Sequence, residues 1–552
     1  MPVAIHTDGR TIGVAWDVNG TIAFSASVDG GGTWFPAPVR VDHSTACPGA
    51  PITPSGLRVI ADGAAVYVAW GATIHCSPFL TFYGAFFNRS LDGGQTWLPV
   101  DVPLSGVPSP VPVGDVDLAF DGAGLHAVWK DNRDGVGNIY VTRSLDGGTT
   151  WLAPQRVERD PWPGAESARP HIAASAGAVH VAWMDYRNGA ADVYCNSSYD
   201  AGATWSATDV RLATGRPAGS TWVNDIRIAA DGGTVCVAWR DHRSWTGTFA
   251  TQADIHANRS LDGGLTWLPT DVRVGPGAAA GAVECLELDL ALVGSAAHLV
   301  WRDLRNGGWD AYTARSLDGG ATWQTETRLD TSRAPGTGFA GFPVIAATPT
   351  VVAAAWLEGP PPADVHTNRS FDGGTTWAVD QLLDTGSHAP GQQSFGPTLA
   401  AHGDLVRVVW RDGNDVVSNL PFGFVDYGTG TAGSGSVVPR LTGTGLAAPG
   451  NSFAVQVESG LGGTVGGMLV GLGPASRIAL PMLGGTILVQ PAFSFVLVLT
   501  GAGAGNGTAQ VPVAVPPSGA FVGQNLDFQV LLLDAFQPSG VTLTNALEVW
   551  IG

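Results

Sequence analysis

The sequence predicts an all-β protein: a β-propeller of eight four-stranded blades, with seven as the alternative count, followed by a C-terminal β-sandwich. Three observations carry this. An eight-residue turn motif recurs seven times, an apolar strand ending in Trp recurs eight times, and the composition changes abruptly after Tyr427. At 552 residues the chain exceeds one ordinary core, unless repeats extend a single architecture. Its 76 Gly and 37 Pro, with no long apolar helical stripe, favour short strands joined by turns.

The motif is Ser-x-Asp-x-Gly-x-Thr-Trp. Copies start at Ser27, Ser90, Ser144, Ser198, Ser260, Ser316 and Ser370, between 54 and 63 residues apart. Asp29, Asp92, Asp146, Asp200, Asp262, Asp318 and Asp372 stand at its third position. A carboxylate there can accept backbone N–H bonds and close a tight turn, and the Gly supplies positive φ. The Trp buries a large ring beside the hairpin. These residues are read as a folding device and carry no catalytic role.

Upstream of each copy an apolar strand ends in Trp16, Trp70, Trp129, Trp183, Trp239, Trp301 or Trp356, and Trp410 ends an eighth. Each unit then reads as four strands, A to D. In the fourth these are Pro170 to Ala174, Val179 to Trp183, Asp192 to Ser197 and Asp209 to Ala213, with the motif as the C–D turn. Four-stranded units repeated at a fixed period describe propeller blades. The eighth unit has no turn motif, and Gly423 to Tyr427 is the candidate for its outer strand. The propeller is placed at residues 1–428.

Residues 429–438 form a Gly/Ser/Thr-rich linker, read as flexible. Residues 439–552 show strand-like runs punctuated by Gly and Pro, for which a β-sandwich is the natural arrangement. From Thr429 onward only Arg440, Glu458, Arg477, Asp527, Asp534 and Glu548 are charged. Sorting, anchoring or packing are the roles expected of this part, and self-association through it is possible.

The formal charge of −19 argues against nucleic-acid and anionic-membrane partners. No apolar run is long enough to span a membrane. The first residues lack the basic and apolar regions of a signal peptide, so the chain reads as cytosolic or as a trimmed, secreted or cell-surface form. Cys47 and Cys76 fall in loops at one rim of blade 2 and could pair; alternatively all five cysteines are small buried apolar residues. No cofactor is predicted. Acidic loops could hold a structural Ca²⁺, but no ligand spacing defines a site for any metal.

Subtracting the repeats isolates candidate functional residues. Of 20 Trp, eight end B strands and seven close turns; Trp162, Trp222, Trp245 and Trp309 remain in B–C or D–A loops of blades 4 to 6, and Trp550 lies elsewhere. Exposed aromatics in one sector suit stacking on sugar rings or a protein partner; packing under long loops is the competing reading. Arg169, Asn224, His242 and Arg243 share that sector with Glu166, Asp225 and Glu284, weak candidates for acid/base work on a glycan. A series Asp131-x-Arg133, Asp185-x-Arg187, Asp241-x-Arg243 and Asp303-x-Arg305 follows the B strands. Its in-register repetition reads as a brace for each B–C loop rather than an arginine cluster for an anion. Sequons at Asn88, Asn258 and Asn368 arise from the repeat itself.

The turn motif resembles the Asp-box, or bacterial neuraminidase repeat, superfamily over roughly residues 1 to 428. The resemblance implies a propeller fold, in a superfamily that includes sialidases, other glycan-active enzymes and non-catalytic propellers. Its sialidases use three arginines, an Asp and a Tyr–Glu pair, with Arg-Ile-Pro in the first blade. Here the first blade reads Pro2-Val3-Ala4-Ile5-His6, and only Tyr83 and Tyr186 are placed to reach the open face, so no catalytic residue carries over. The expected function is extracellular, non-catalytic recognition of a glycan or protein on the face of blades 4 to 6. The alternatives are a sialidase-like hydrolase or polysaccharide lyase, and a self-assembling surface protein.

Overall fold

A computed structural model describes the whole chain except residues 1–2, 10, 29–33, 44–46, 48–49, 78, 107, 160–163, 245–251, 276–279, 360–362, 371, 378–379, 384–393, 404, 413–414, 420–422, 428–429, 446, 448–451, 473–477, 481–484, 488, 490, 517–524 and 551–552. Eight antiparallel sheets follow one another in sequence. Their strands lie within residues 3–40, 52–103, 113–156, 167–211, 223–274, 285–328, 340–382 and 394–419. Seven have four strands in the order A-B-C-D, and the eighth has three among the described residues. Each A strand packs beside the A strand of the next sheet, and Ser394–His402 returns to Val3–Thr7. The ring therefore closes with eight blades, not seven, around a tunnel lined by A strands.

Blade joins blade through the B-strand tryptophans. Trp239, for example, is buried against Ala182, Val193 and Leu212 of the blade before. Burying such a ring contributes on the order of 2–3 kcal/mol, repeated around the ring. The Asp of the turn motif does what its chemistry predicts. Asp200 accepts from Ser198 Oγ (2.8 Å), Thr204 N (2.8 Å) and Thr204 Oγ1 (2.7 Å). The same contacts recur at Asp92, Asp146, Asp262, Asp318 and Asp372, while Asp29 lies outside the described residues.

The motif's Gly has a second duty. At Gly94, φ is +92°, and a Cβ would stand 2.0 Å from the Phe24 ring of the preceding blade. Trp97 packs edge-on against the same ring, with centroids 5.0 Å apart. The sequons are structural as well. Asn88, Asn258 and Asn368 are buried, and each amide donates to the carbonyl after the preceding blade's D strand (Val41, Leu212 and Leu329).

Two strands differ from expectation. Gly423–Tyr427 does not complete blade 8; it pairs with Val541–Trp550 as the edge of a five-stranded sheet that continues through Asn525–Leu533, Val465–Leu472 and Pro491–Val498. That sheet and a three-stranded one (Arg440–Gly445, Ser452–Gly462, Gly503–Ala514) enclose a core of Leu441, Phe453, Met468, Phe528 and Leu547. The stretch read as a flexible linker is hydrogen-bonded onto these sheets. Thr431 N donates to Leu543 O (2.8 Å), and Ser434 N and Oγ both donate to Asp534. Cys47 and Cys76 form a disulfide with Cα atoms 5.6 Å apart; Cys195, Cys236 and Cys285 are buried thiols.

Gly94→Ala combines strained φ with a clash, whereas Gly122 has similar φ (+86°) and nothing within 4 Å. The Gly94 variant should lose about 2 kcal/mol more than Gly122→Ala, read by denaturant unfolding. The turn carboxylates give a pH signature. Asp146 is held down to about 2, first by the Thr150 N–H and then its hydroxyl, and Asp200 to about 2, first by the Thr204 hydroxyl. A depressed carboxylate contributes its stability above the unfolded value near ~4 and loses it as pH falls toward about 2. The unfolding midpoint of Asp146→Asn/Asp200→Asn should lie below wild type at pH 5, and the gap should narrow through that window.

Candidate functional site at the tunnel mouth

Among the described residues, seven A strands share a defect. Pairing with strand B skips two residues, the first with positive φ and the second buried. The first residues are Gly56, Asp115, Arg169, Asp225, Glu287, Phe342 and Gly396, with φ between 48° and 57°. The second residues are Leu57, Val116, Pro170, Ile226, Leu288, Pro343 and Pro397, each 13 positions before its B-strand Trp. A bulge of this kind re-aims one side chain and bends the strand. Here it sets a ring of side chains at the B–C-loop end of the tunnel.

The ring is knitted across blades. Asp115 Oδ2 accepts from Arg169 N (3.3 Å), Arg169 Nη1 lies 3.5 Å from Asp225 Oδ1, and Arg240 Nη1 meets Asp225 Oδ2 at 2.8 Å. Glu287 accepts from Arg302 (2.8 Å) and from Phe342 N (2.7 Å). A second tier two residues on pairs Arg58 and His171 with Asp117, and Arg227 with Asp289. Burial raises the Glu287 carboxyl above its ordinary range, and the nearby Asp225 charge pushes the same way. Burial likewise lowers His242 and Arg302.

The sequence-derived candidates divide here. Trp222 is 64% exposed, and its carbonyl accepts from His242 N (3.0 Å); His242 Nε2 is 3.3 Å from Asn224. Arg169, Trp222, Asn224, Asp225 and His242 thus gather at the mouth over blades 4 and 5. Glu166 is paired with Lys130 (2.5 Å), and Glu284 lies within electrostatic reach of Arg302. Trp309 is not an open platform: the Arg302 guanidinium lies 4.4 Å from its ring and 5.0 Å from Phe339. Trp162 and Trp245 lie outside the described residues.

Arg243 sits in a brace instead of at the mouth, held by Asp241 (2.6 Å) and Asp271 (2.8 Å). The whole Asp-x-Arg series does this work. Each Asp also accepts the B-strand indole N–H, as from Trp239 (3.1 Å), and in three blades the Arg lies 4.0–4.5 Å over a C-strand Tyr ring. In blade 7 Glu358, His366 and Asp380 come within ligand distance of one another. The donors around them are already committed: Trp356 and Arg333 to Glu358, and Ser332, Thr331 and His366 to Asp380. This is the same brace with a different residue set, so no metal is assigned to it. The Cys195 and Cys236 thiols are pushed up to about 12 by burial, far from nucleophile range.

Sequence reasoning missed Glu287, Arg240, Arg302 and the bulge itself. The signal was present: Pro170, Pro343 and Pro397 recur within A strands at one offset, and Pro inside a strand marks an edge or bulge.

No family model matches the sequence, and no curated protein matches it. Among solved structures, a Hadza microbial sialidase aligns with 62% of this chain and 74% of its own at 18% identity and TM-score 0.35. An α-L-arabinanase of Penicillium chrysogenum, in complex with arabinobiose, aligns with 55% and 92% at 17% identity and TM-score 0.36. An ulvan lyase aligns with 64% and 88% at 12% identity and TM-score 0.42. These are distant likenesses of fold. Among the described residues no helix is long and apolar enough to cross a membrane.

Asp241 is buried beneath Arg243, Arg216 and Trp239. Asp241→Asn should cost about 3–5 kcal/mol in unfolding free energy, because it strips buried cations of their partner. Asp225→Asn, at a carboxyl 27% exposed that faces one buried cation, Arg240, should cost less, about 1–2 kcal/mol. The contrast separates brace from mouth.

Proposed function

We propose that the chain is an extracellular recognition protein of the Asp-box propeller type, taking a glycan at the tunnel mouth over blades 4 to 6 without turning it over. The observation that carries this is the exposure of Trp222, 64% open to solvent and three residues before Asp225 of the Arg169–Asp225–Arg240 network. A flat indole suits the apolar face of a sugar, and planar carboxylate, amide and guanidinium groups suit its vicinal hydroxyls. The Cys47–Cys76 disulfide fits an oxidising compartment. Glu166 and Asp225, proposed from the sequence as acid/base groups, are each ion-paired, which suits binding better than proton transfer.

A second reading has one observation in its favour. Glu287, raised by burial with the Asp225 charge pushing the same way, has the character of a general acid, although it too is paired, with Arg302. A glycan array with intact protein, run alongside reducing-end release, separates the two. Binding without product, weakened at least about tenfold by Trp222→Ala with an unchanged unfolding midpoint, is the expected result. Product release that disappears in Glu287→Gln would replace recognition with hydrolysis.

A further inference from the structure

Blade 8 carries a docking slot whose shape is defined by the other seven blades. In each of those a short D strand closes the outer edge, and a buried apolar residue follows or ends it: Val41, Leu104, Val157, Leu212, Val274, Leu329 and Leu383. Six of these donate their backbone N–H to a C-strand carbonyl at 2.8–2.9 Å, as Leu212 does to Val193. Their side chains complete the interface with the next blade, as Leu212 does beside Trp239.

Blade 8 differs. Its outermost described strand is the C strand, Asp415–Asn419, and the following strand, Gly423–Tyr427, is committed to the C-terminal sheet. Between that C strand and blade 1 lies a cavity of about 630 Å³ lined by Val14, Trp16, Val18, Trp34, Phe35 and Val416. Trp16 faces it and is 6% exposed, whereas the other seven B-strand tryptophans are 0–1%. By register, Val416 O is the equivalent of Val193 O, since Val416 pairs with Arg411 as Val193 does with Met184.

We infer that this slot takes an extended segment of another polypeptide, with an apolar–Arg–apolar pattern, added as the fourth strand of blade 8. Three of the chain's own D strands carry that pattern, Val39-Arg40-Val41, Val210-Arg211-Leu212 and Val272-Arg273-Val274, and Thr327-Arg328-Leu329 keeps its Arg and its apolar end. In three of these four the Arg reaches the Asp that opens its C strand: Arg211 to Asp192 (3.2 Å), Arg273 to Asp254 (3.0 Å) and Arg328 to Asp310 (3.7 Å). Asp415 holds the same register position, opposite Asp412 as Asp192 is opposite Asp185. A cationic segment also complements a chain of charge −19. A second copy fits poorly. Its D strands are in use in their own blades; of its C-terminal edge strands, Pro491–Val498 and Gly503–Ala514 lie in a stretch, 478–526, with no charged residue, and Arg440–Gly445 has Leu441 buried and hydrogen-bonded to Asn545. Strand addition would supply main-chain hydrogen bonds for affinity and one apolar pocket for specificity.

The test uses the full chain and a synthetic peptide copying Thr208–Thr214 with Asp209→Asn, so that Arg211 is the peptide's one charged side chain. One-to-one saturable binding is expected, with slowed amide exchange confined to residues 415–419. A peptide carrying Leu212→Pro, which lacks the donated N–H, should not bind, and Arg211→Glu should weaken binding at least about tenfold. The protein variant Val416→Asp should lose the peptide while keeping its unfolding midpoint and any binding at the tunnel mouth. Absence of binding, binding that survives Val416→Asp, or protection elsewhere would overturn the proposal. A concentration-dependent dimer that already protects residues 415–419 without peptide would overturn it as well, by making a second copy the occupant.

Discussion

The burial of one indole per blade against the blade before is the interaction on which the rest of this structure depends. A four-stranded sheet of this size cannot bury both of its faces alone. The B-strand Trp is the largest apolar group each sheet has to hide, and it is hidden most fully where the neighbour's strands and the apolar residue that ends or follows its D strand are in place. Its polar end imposes a further condition. In blades 3 to 6 the indole N–H lies in the interior and finds its acceptor in the Asp two residues later. That buried carboxylate then needs a cation, and the Arg two residues further on supplies it. Trp-x-Asp-x-Arg is thus one chain of obligations running from core to loop.

This chain explains what was legible in the sequence. Trp129 to Arg133 and its three relatives repeat because each member requires the next, so reading them as architecture follows from their repetition. The turn motif is legible for the same reason: Ser198, Asp200, Gly202 and Thr204 close one local network. The ring's closure was less legible, because it rests on Val3–Thr7 meeting Ser394–His402, a contact between strands nearly 400 residues apart. Gly423–Tyr427 was misplaced for a related reason. An extended apolar strand fits any open edge, and only the pairing with Val541–Trp550 shows which edge took it. The linker looked flexible by composition, yet Asp534, 100 residues later, orders Ser434.

The tunnel mouth was the least legible part, and the reason lies in the bulge. Within it the second residue is bound by packing: Leu57, Val116, Ile226 and Leu288 are all 1–2% exposed. The first residue has no such duty, since its left-handed backbone turns it away from the interface. Its identity therefore varies freely from blade to blade, and a search for repeats discards it as noise. A pattern search found the exposed Trp222, because it counted a residue type. It missed Glu287 and Arg302, because blade 6 has Leu288 at the offset where Pro170, Pro343 and Pro397 mark the bulge in other blades.

The variation at that free position has a direction. Blades 3 to 6 carry Asp115, Arg169, Asp225 and Glu287, blade 7 carries Phe342, and blades 2 and 8 carry glycine. At Gly56 the choice is steric, since a Cβ would meet the Val116 carbonyl at 2.5 Å; at Gly396 nothing stands within 4 Å, and the space is open. Charge is thus confined to one arc of a ring that is otherwise built alike all the way round. An architecture of eightfold repetition supplies no reason for that asymmetry. Inter-blade stapling does not supply one either, since blades 2 and 8 are held in the ring with glycine at this position. What distinguishes blades 3 to 6 is the face they offer at the mouth, where three carboxylates and one guanidinium on rigid strands hold polar groups at fixed spacing. Rigid, paired and half-solvated groups of that kind lose little entropy when a ligand arrives, which is the property a recognition surface needs.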